Sequence, residues 1–282
     1  MKKSTPGIWQ NMKEASPVLA WGGVLALVWS LVTLALPLID PRLFQGVSVW
    51  HKPWKFQISV AIYWLTLLFF MSYLQKPSKS SAAWRGVVSV AFAGGLFEVV
   101  YITWQAALGQ ASHYNLSSAF HSAMYSVMAV AAVMLTATAG VVGYWFLRHK
   151  SFRDSLTQAM QQAIGWGLVI SSSLGIVTGI ILGGRAQSGG HWVGGTANDG
   201  LGLFLLNWSR DGGDLRVAHF FALHAMQILP LMLLALYLLV PALRLESQQK
   251  TAKKGVWLFA LMLVLFCIFT LWQAFNRIPF IR

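Results

Sequence analysis

The segment SRDGGDLRVAHFFALHAMQILP, residues 209–230, passes without a break from a polar, glycine-rich loop into an apolar helix. At 3.6 residues per turn its polar side chains fall on one broad stripe, because steps of three, four, seven and eight residues return to the same side. That stripe comprises Arg216, His219, Leu223, His224 and Gln227. Polar side chains within an apolar helix must face protein and not lipid, so the segment predicts a helical bundle with a polar site inside it.

The composition of the chain indicates a membrane protein. Of its 282 residues, 56% are hydrophobic and only 10% are charged, which lies outside the range of soluble domains. A helix needs about 20 apolar residues to cross about 30 Å of hydrocarbon. Seven such spans can be placed, at about 17–38, 54–74, 84–107, 119–147, 159–183, 217–240 and 256–276. We therefore expect an all-α integral membrane protein, a seven-transmembrane helix bundle with a single domain over residues 1–282.

The distribution of basic residues predicts the orientation of the bundle. Under the positive-inside rule, the side with more lysine and arginine faces the cytoplasm. One side holds Lys2, Lys3, Lys13, Lys76, Lys79, Arg85, Arg148, Lys150, Arg153, Arg244, Lys250, Lys253 and Lys254. The other holds Arg42, Lys52, Lys55, Arg185, Arg210, Arg216, Arg277 and Arg282, partly offset by Asp40, Asp199, Asp211 and Asp214. The amino terminus is then cytoplasmic and the carboxyl terminus periplasmic. The net charge of +13 marks this topology and the lipid bilayer as partner, and no nucleic acid partner is expected.

One acidic side chain, Glu98, lies within the predicted spans, and Gln105 follows two turns later on the same face. An unpaired carboxylate in hydrocarbon costs several kcal/mol, so Glu98 should be neutral, paired or beside water. At about 1.5 Å per residue, Glu98 lies roughly 15 Å and His224 roughly 10 Å below the outer ends of their spans. We therefore expect that the two can meet, directly or through water, with Glu98 as the candidate catalytic group.

Two segments on the outer side lie above the expected positions of Glu98 and His224. The connection between the fifth and sixth spans, about 184–215, is long and glycine-rich, and a loop of that length predicts a lid over the outer mouth of the bundle. At the start of the second span, tryptophans alternate with Lys52 and Lys55. These lysines either snorkel within an aromatic belt or turn inward to bind an anionic group.

Six of the seven histidines fall on the outer side, and the seventh, His149, lies in a cytoplasmic loop. Histidine is the commonest metal ligand and titrates near neutral pH, so the cluster indicates a metal, a haem or a proton path. The candidate metal ligands, for copper, iron or zinc, are His113, His121, His219 and His224, with Glu98 nearby. His219 and His224 are five residues apart, so on a straight helix they diverge by about 140° and do not share one small ion.

A haem b tolerates this arrangement better than zinc does. One axial ligand, His224 or His219, would oppose one from the fourth span, His121 or Met128. The other candidate cofactor-binding residues are Lys52, Lys55, Gln105, Arg216 and Gln227, of which the bases would neutralise propionates. This reading predicts membrane redox chemistry and electron exchange with a quinone or a periplasmic redox partner.

Other readings stay open beside it. Glu98 and His224 would serve a proton-coupled transporter of small solutes, and a lipid-modifying enzyme would need a side opening near His113 and His219. In a structural reading these groups hydrogen-bond only to one another. Met124, Tyr125 and Met128 are typical of core packing. The ridge of Gly175, Gly179 and Gly183 indicates close helix packing, within the chain or in a homo-oligomer.

Three runs carry a family resemblance. They are KPWKF at 52–56, the segment from Gln105-Ala106 to Ser112-His113-Tyr114-Asn115, and GGDLR at 212–216 with the histidines that follow. Over spans two to six they resemble an uncharacterised family of bacterial multi-span inner-membrane proteins, which implies a bacterial inner-membrane location and supplies no mechanism. The pattern differs from that of rhodopsins, because the last predicted span has no lysine, and from that of seven-span zinc hydrolases, whose histidines lie four apart.

Overall fold

Apolar helices make up most of the protein, which is 75% helical. The structure, a computed structural model, describes residues 7–74, 81–148, 152, 156–185 and 190–282. Its α-helices are α1 Ile8–Ala15, α2 Pro17–Ala35, α3 His51–Tyr73, α4 Ala82–Ala107, α5 Ala119–Arg148, α6 Gln158–Gly183, α7 Arg216–Leu223, α8 Ala225–Leu239 and α9 Gln249–Phe275. Two antiparallel two-stranded pairs join β1 Leu43–Phe44 to β2 Val47–Ser48 and β3 Trp192–Val193 to β4 Gly213–Asp214.

Six helices in the described residues are long and apolar enough to cross a membrane, namely α2 with the short 3-10 turn after it, α3, α4, α5, α6 and the helix that ends at Phe275. The pair α7 and α8 passes the same test together and gives a seventh span if it is counted as one. The prediction of an all-α protein with several membrane-spanning helices is therefore confirmed. Among the residues used for orientation, Lys2, Lys3, Lys76, Lys79, Lys150 and Arg153 lie outside the described residues, as does His149.

Side-chain contacts show which helix ends share a side of the bundle. On one side, which we call the loop face, the Arg42 guanidinium after α2 donates to the Ala107 carbonyl at the end of α4, at 3.1 Å. There too the Tyr125 hydroxyl in α5 donates to the Gly183 carbonyl at the end of α6, at 2.7 Å. The β3–β4 pair lies on this face, where β4 packs against the end of α9.

The opposite side, which we call the α1 face, collects the other ends. The Trp84 indole at the start of α4 donates to the Ala15 carbonyl at the end of α1, at 3.2 Å. Thr157, before α6, and Tyr237, near the end of α8, share a 2.7 Å hydrogen bond. The helices therefore run alternately between two faces, as short connections between antiparallel neighbours require.

Apolar side chains cover both the inside and the outside of the bundle. Leu67, Leu68 and Met71 of α3 are fully buried in the core. On α9, large residues four apart, such as Leu261, Leu265 and Phe269, are more than half exposed. A helix that is hydrophobic all round fits a bilayer, because its outer face meets hydrocarbon instead of water.

The sixth predicted span is broken, and the break lies at His224 and not at Pro230, although a proline within a membrane helix predicts a kink. The axes of α7 and α8 differ by 60°, whereas α8 continues through Pro230. The break is stabilised from α6, because the Ser171 hydroxyl donates to the Leu223 carbonyl at 2.6 Å. Gly167 of α6 lies against the Ala225 carbonyl, where a Cβ atom would come within 2.9 Å.

The glycine ridge of α6 is packed within the chain. A Cβ atom at Gly175 would meet Leu223, one at Gly179 would meet His219, and one at Gly183 would approach Tyr125. These glycines let α6 lie close to α7 and α5, as small residues do between membrane helices. The ridge is therefore occupied by neighbouring helices, and the prediction of a homo-oligomer through it has no support.

Candidate functional site

The connection between α6 and α7 is held over the loop face by ion pairs around Arg216, the first residue of α7. The guanidinium donates to Asp214, with Nη2 at 2.7 Å from Oδ2, and to Asp199, with Nη1 at 2.9 Å from Oδ1. The Asp214 side chain is fully buried. The same guanidinium lies 5.8 Å from the centre of the Trp192 ring. Arg216 therefore has two acidic partners from the protein itself, which removes the expected role as a propionate ligand.

A contact between an imidazole and a carboxylate also belongs to this network. His191 Nε2 lies 3.6 Å from Asp199 Oδ1. Burial raises the pKa of Asp199, but the contact with His191 and the charge of Arg216 outweigh it and bring that pKa below its usual value. Burial lowers the pKa of His191, so its neutral form is favoured.

The same connection is tied to the start of α3. Lys55 Nζ donates to the side-chain oxygen of Asn207, and His51 Nε2 lies 3.4 Å from the Leu205 carbonyl. The backbones of Leu205 and Asn207 have positive φ angles of 64° and 58°, a region that a leucine rarely adopts. The long connection therefore covers the loop-face end of α3, as a lid would, and Lys55 is used to hold it there. We call residues 190–215 the lid.

Beneath the lid lie four buried polar side chains from α3 and α4, and most of their polar atoms have no hydrogen-bond partner among the described residues. No more than 3% of any of these residues is exposed. Among the described residues, no hydrogen-bond partner reaches either oxygen of Glu98, either polar atom of Gln105, the Tyr101 hydroxyl or the Gln57 side-chain oxygen. Because the great majority of buried polar atoms in proteins are hydrogen-bonded, four such neighbours need an explanation. We call Gln57, Glu98, Tyr101 and Gln105 the polar cluster.

Helical spacing brings the polar cluster together. Glu98, Tyr101 and Gln105 stand three and seven residues apart, so all three lie on one face of α4. The Gln57 amide of α3 reaches the same helix, where it donates to Thr103 Oγ1 at 3.3 Å. Gly95 lies one turn from Glu98, and a Cβ atom there would clash with the Trp64 ring, so this glycine allows α3 and α4 to approach closely.

Apolar and aromatic side chains surround the polar cluster. Tyr101 packs with Met128 and with Phe56, Phe97 and Met124. Met128 is 1% exposed and belongs to this packing, which is what the Met–Tyr pattern of α5 indicated. The surroundings have a low dielectric, so hydrogen bonds formed by the cluster would be stronger than in water and its unpaired groups are correspondingly costly.

Lys52 is a positive charge that interacts with Glu98. It is an exposed residue at the start of α3, with Nζ 5.9 Å from the centre of the Phe56 ring. Its ammonium group interacts electrostatically with Glu98 of the polar cluster and with Asp199 and Arg216. Together, Lys52 and the cluster contain an ammonium group, a carboxyl group, two carboxamides and a phenol.

The histidines on the loop face are not gathered around one point. His121 is engaged at both ring nitrogens, with Nδ1 at 2.8 Å from Ser118 Oγ and Nε2 at 3.1 Å from Gln110 Oε1. His113 packs between the rings of Phe56 and Tyr125. Burial and the charges of Lys52 and His191 hold the pKa of His113 well below its usual value.

The two histidines near the helix break also have separate partners. His219 Nδ1 lies 2.9 Å from Thr178 Oγ1 on α6, and His224 Nδ1 lies 3.3 Å from Gln227 Oε1. In the part of the chain that the structure describes, no group of three or more His, Cys, Asp or Glu side chains could hold a metal ion. The predicted set of metal ligands is therefore not assembled as a metal centre.

The expected direct contact between Glu98 and His224 is wrong. Neither Glu98 oxygen has a hydrogen-bond partner among the described residues, and His224 Nδ1 contacts Gln227 Oε1 instead. The reason is the helix break, because α7 packs against α6 and α9, whereas α4 packs against α3 and α5. Counting residues along the spans gives an expected depth, but it does not say which helices are neighbours.

Some residues that matter here were not among the predicted site residues. Tyr101 belongs to the polar cluster and shares the α4 face with Glu98, so the three-residue spacing was the signal that could have found it. Gln57 faces it from α3. Asp199, Asp214 and Asn207 hold the lid, and no sequence pattern linked them to Arg216 or Lys55.

Comparison with known proteins returns no relative. No family model matches the chain, and neither a curated protein nor a solved structure does. The function is therefore argued from the site itself.

Proposed function

We propose that the chain binds a small polar solute at the polar cluster beneath the lid and moves it across the membrane together with a proton carried by Glu98. The observation that carries this proposal is the polar cluster, where six buried polar atoms in an apolar setting lack hydrogen-bond partners among the described residues. Each unsatisfied buried group costs about 1–3 kcal/mol, and a bound solute would supply the missing partners. An ionisable residue inside a membrane bundle marks a functional site by default.

The charges at the polar cluster favour a neutral or zwitterionic solute. When Glu98 is ionised it and Lys52 have opposite charge, so a strongly anionic or cationic ligand would meet one favourable and one unfavourable group. Gln57 and Gln105 add carboxamides that can donate and accept. A solute with both donors and acceptors therefore matches the polar cluster best.

The broken sixth span supports a transport role over simple binding, because many transporters contain discontinuous membrane helices. Here α7 does not pack against α4, but it begins at the lid, through Arg216, and ends at the 60° bend. A movement of α7 would therefore be passed to the lid that covers the polar cluster.

Binding can be tested with the purified full-length protein in detergent. Small polar solutes, neutral, zwitterionic, anionic and cationic, are added one at a time while the thermal unfolding midpoint is measured. A solute at 100 times its Kd should stabilise the protein by about 2.7 kcal/mol. Glu98→Gln should lose this stabilisation, whereas Glu246→Gln, an exposed carboxyl on the α1 face, should keep it.

Transport is then tested in proteoliposomes with the solute that stabilises the protein. The proposal expects uptake that depends on a pH gradient and is lost in Glu98→Gln. Equal stabilisation of the wild type and Glu98→Gln by every solute in the panel would contradict the site. Uptake of the same rate with and without a pH gradient would contradict the proton coupling.

Haem or metal binding fits the described residues poorly. His121 has hydrogen bonds at both ring nitrogens, Met128 is packed in an apolar cluster, and Arg216 is paired with two carboxylates. A haem b would need two opposed axial ligands from helices that face each other. An absorption spectrum of the purified protein is the check, and we expect no Soret band.

The orientation is part of the proposal. The α1 face carries Lys13, Arg85, Arg148, Arg244, Lys250, Lys253 and Lys254. By the positive-inside rule we place this face in the cytoplasm of a bacterial inner membrane, and the lid with the carboxyl terminus in the periplasm. A cysteine introduced in the lid at Arg210 should react in intact cells with a reagent that does not cross the inner membrane.

A further inference from the structure

A recess opens on the side of the bundle, in the half nearer the α1 face. It lies between α3, α6 and α8 and has a volume of about 520 Å³. All of its lining residues except Leu156 lie on membrane-spanning helices. Its opening therefore faces bilayer hydrocarbon, and an occupant would enter from the membrane.

The walls of this side recess suit a flat apolar molecule. Three aromatic rings of α3, those of Phe69, Phe70 and Tyr73, form one wall. On the other side Leu231 and Leu234 of α8 are 60% and 41% exposed, so they form a rim toward the lipid. A recess of a few hundred Å³, mainly apolar and aromatic, is typical of small-molecule sites.

One polar pair lies in this apolar wall. The Gln227 amide nitrogen donates to Thr66 Oγ1 at 3.1 Å, and the Gln227 oxygen lies 3.3 Å from His224 Nδ1. Both Gln227 and Thr66 line the recess and are partly exposed in it. A carboxamide has two N–H bonds, and only one of them is directed at Thr66, so one donor remains for a ligand.

We infer that the side recess binds a membrane-soluble quinone. The quinone ring lies against the aromatic wall, a ring carbonyl accepts a hydrogen bond from Gln227, and the tail leaves past Leu231 and Leu234 into the bilayer. A simple hydrocarbon tail would fill the same space but has no acceptor for the amide, and a polar donor facing hydrocarbon is costly. This site lies in the opposite half of the bundle from the polar cluster and is independent of the proposed transport function.

The experiment titrates a short-tail benzoquinone analogue into the full-length protein in detergent and measures heat of binding. Gln227→Leu removes the donor at nearly constant size and should weaken binding about fivefold to tenfold, the effect of one hydrogen bond. Leu231→Trp narrows the rim from an exposed position and should weaken binding more than tenfold. Gln273→Leu, on α9 and away from the recess, is the matched control and should bind as the wild type does.

Two outcomes would overturn the inference. One is equal affinity of the wild type, Gln227→Leu and Leu231→Trp for the analogue. The other is equal competition by a phospholipid, which would mean that the recess accepts any hydrocarbon chain. Glu98→Gln should bind the analogue as the wild type does, so this test succeeds or fails separately from the proposed transport of a solute.

Discussion

Two polar layers lie one below the other at the loop face, and they differ in how their groups are paired. In the lid layer, Arg216 meets Asp214 and Asp199 at 2.7 and 2.9 Å. In the polar cluster below it, Glu98 and Gln105 are buried and have no partners among the described residues. If the proposed function holds, the presence of partners separates polar groups that hold the fold from polar groups that bind a ligand.

The two layers should respond in opposite ways to the removal of a polar side chain. Breaking a buried ion pair leaves the remaining charge uncompensated, which costs about 3–5 kcal/mol. Removing a group that has no partner takes away an existing penalty, so it is neutral or stabilising.

The largest expected effect is the loss of Arg216. Arg216→Met leaves the fully buried Asp214 carboxylate without its cation, so we expect a loss of about 3–5 kcal/mol in the free energy of unfolding. The measurement is unfolding of the purified protein in detergent. Arg210→Met changes an exposed arginine in the same lid and should cost less than about 0.5 kcal/mol. Equal losses in the two variants would mean that the ion pairs do not hold the lid.

The next largest effect concerns how the stability of the folded state depends on pH. Burial lowers the pKa of His191, and it holds that of His113 well below its usual value. In the unfolded chain these imidazoles take up protons near pH 6.5, so below that pH the unfolded state binds more protons than the folded state. Stability should therefore fall as the pH decreases from about 6.5 through the lowered pKa values.

The check is the unfolding midpoint at a series of pH values. The double variant His113→Gln and His191→Gln should show a weaker dependence below pH 6.5, because the two groups that titrate differently are gone. Asp199 adds a loss only in more acidic solution, since a carboxyl with a lowered pKa contributes stability above about pH 3.9 and loses it below. A midpoint that rises as the pH falls from 6.5 would contradict the assignment.

The smallest effect concerns the two lysines of α3. Lys55→Met removes the side-chain hydrogen bond to Asn207, which should cost about 1 kcal/mol and speed hydrogen exchange in the lid. Lys52→Met should speed exchange in the lid less than Lys55→Met does, since Lys52 packs beside Phe56 and interacts with Glu98. It should also weaken solute binding. Equal changes in exchange in both variants would contradict the separate roles of Lys55 in the lid and Lys52 at the polar cluster.

Hydropathy and spacing predicted the helices and the shared face of Glu98 and Gln105, because both depend on residues close together in sequence. The third span was expected at 84–107 and the helix is Ala82–Ala107. Glu98 and Gln105 were expected to share a face, and they do. The partners of the basic residues could not be predicted, since Lys55 and its partner Asn207 are 152 residues apart and nothing in the spacing links them.

The helix break shows a second limit. Pro230 is a strong local signal for a kink, yet the 60° bend occurs at His224. The α6 surface places the bend there, because the Ser171 hydroxyl donates a hydrogen bond to the Leu223 carbonyl and Gly167 lets the Ala225 backbone come close to α6. Such contacts form only when two helices pack together, so the direction of α7 away from Glu98 could not be predicted from the sequence.

The most direct test of the central claim is the unfolding free energy of Glu98→Leu and of Gln105→Leu, measured beside Arg216→Met in the same detergent. If the polar cluster is kept for a ligand and not for the fold, both leucine variants should be as stable as the wild type or more stable. A loss of about 3–5 kcal/mol, like that expected for Arg216→Met, would contradict the claim and make the cluster part of what holds the bundle together.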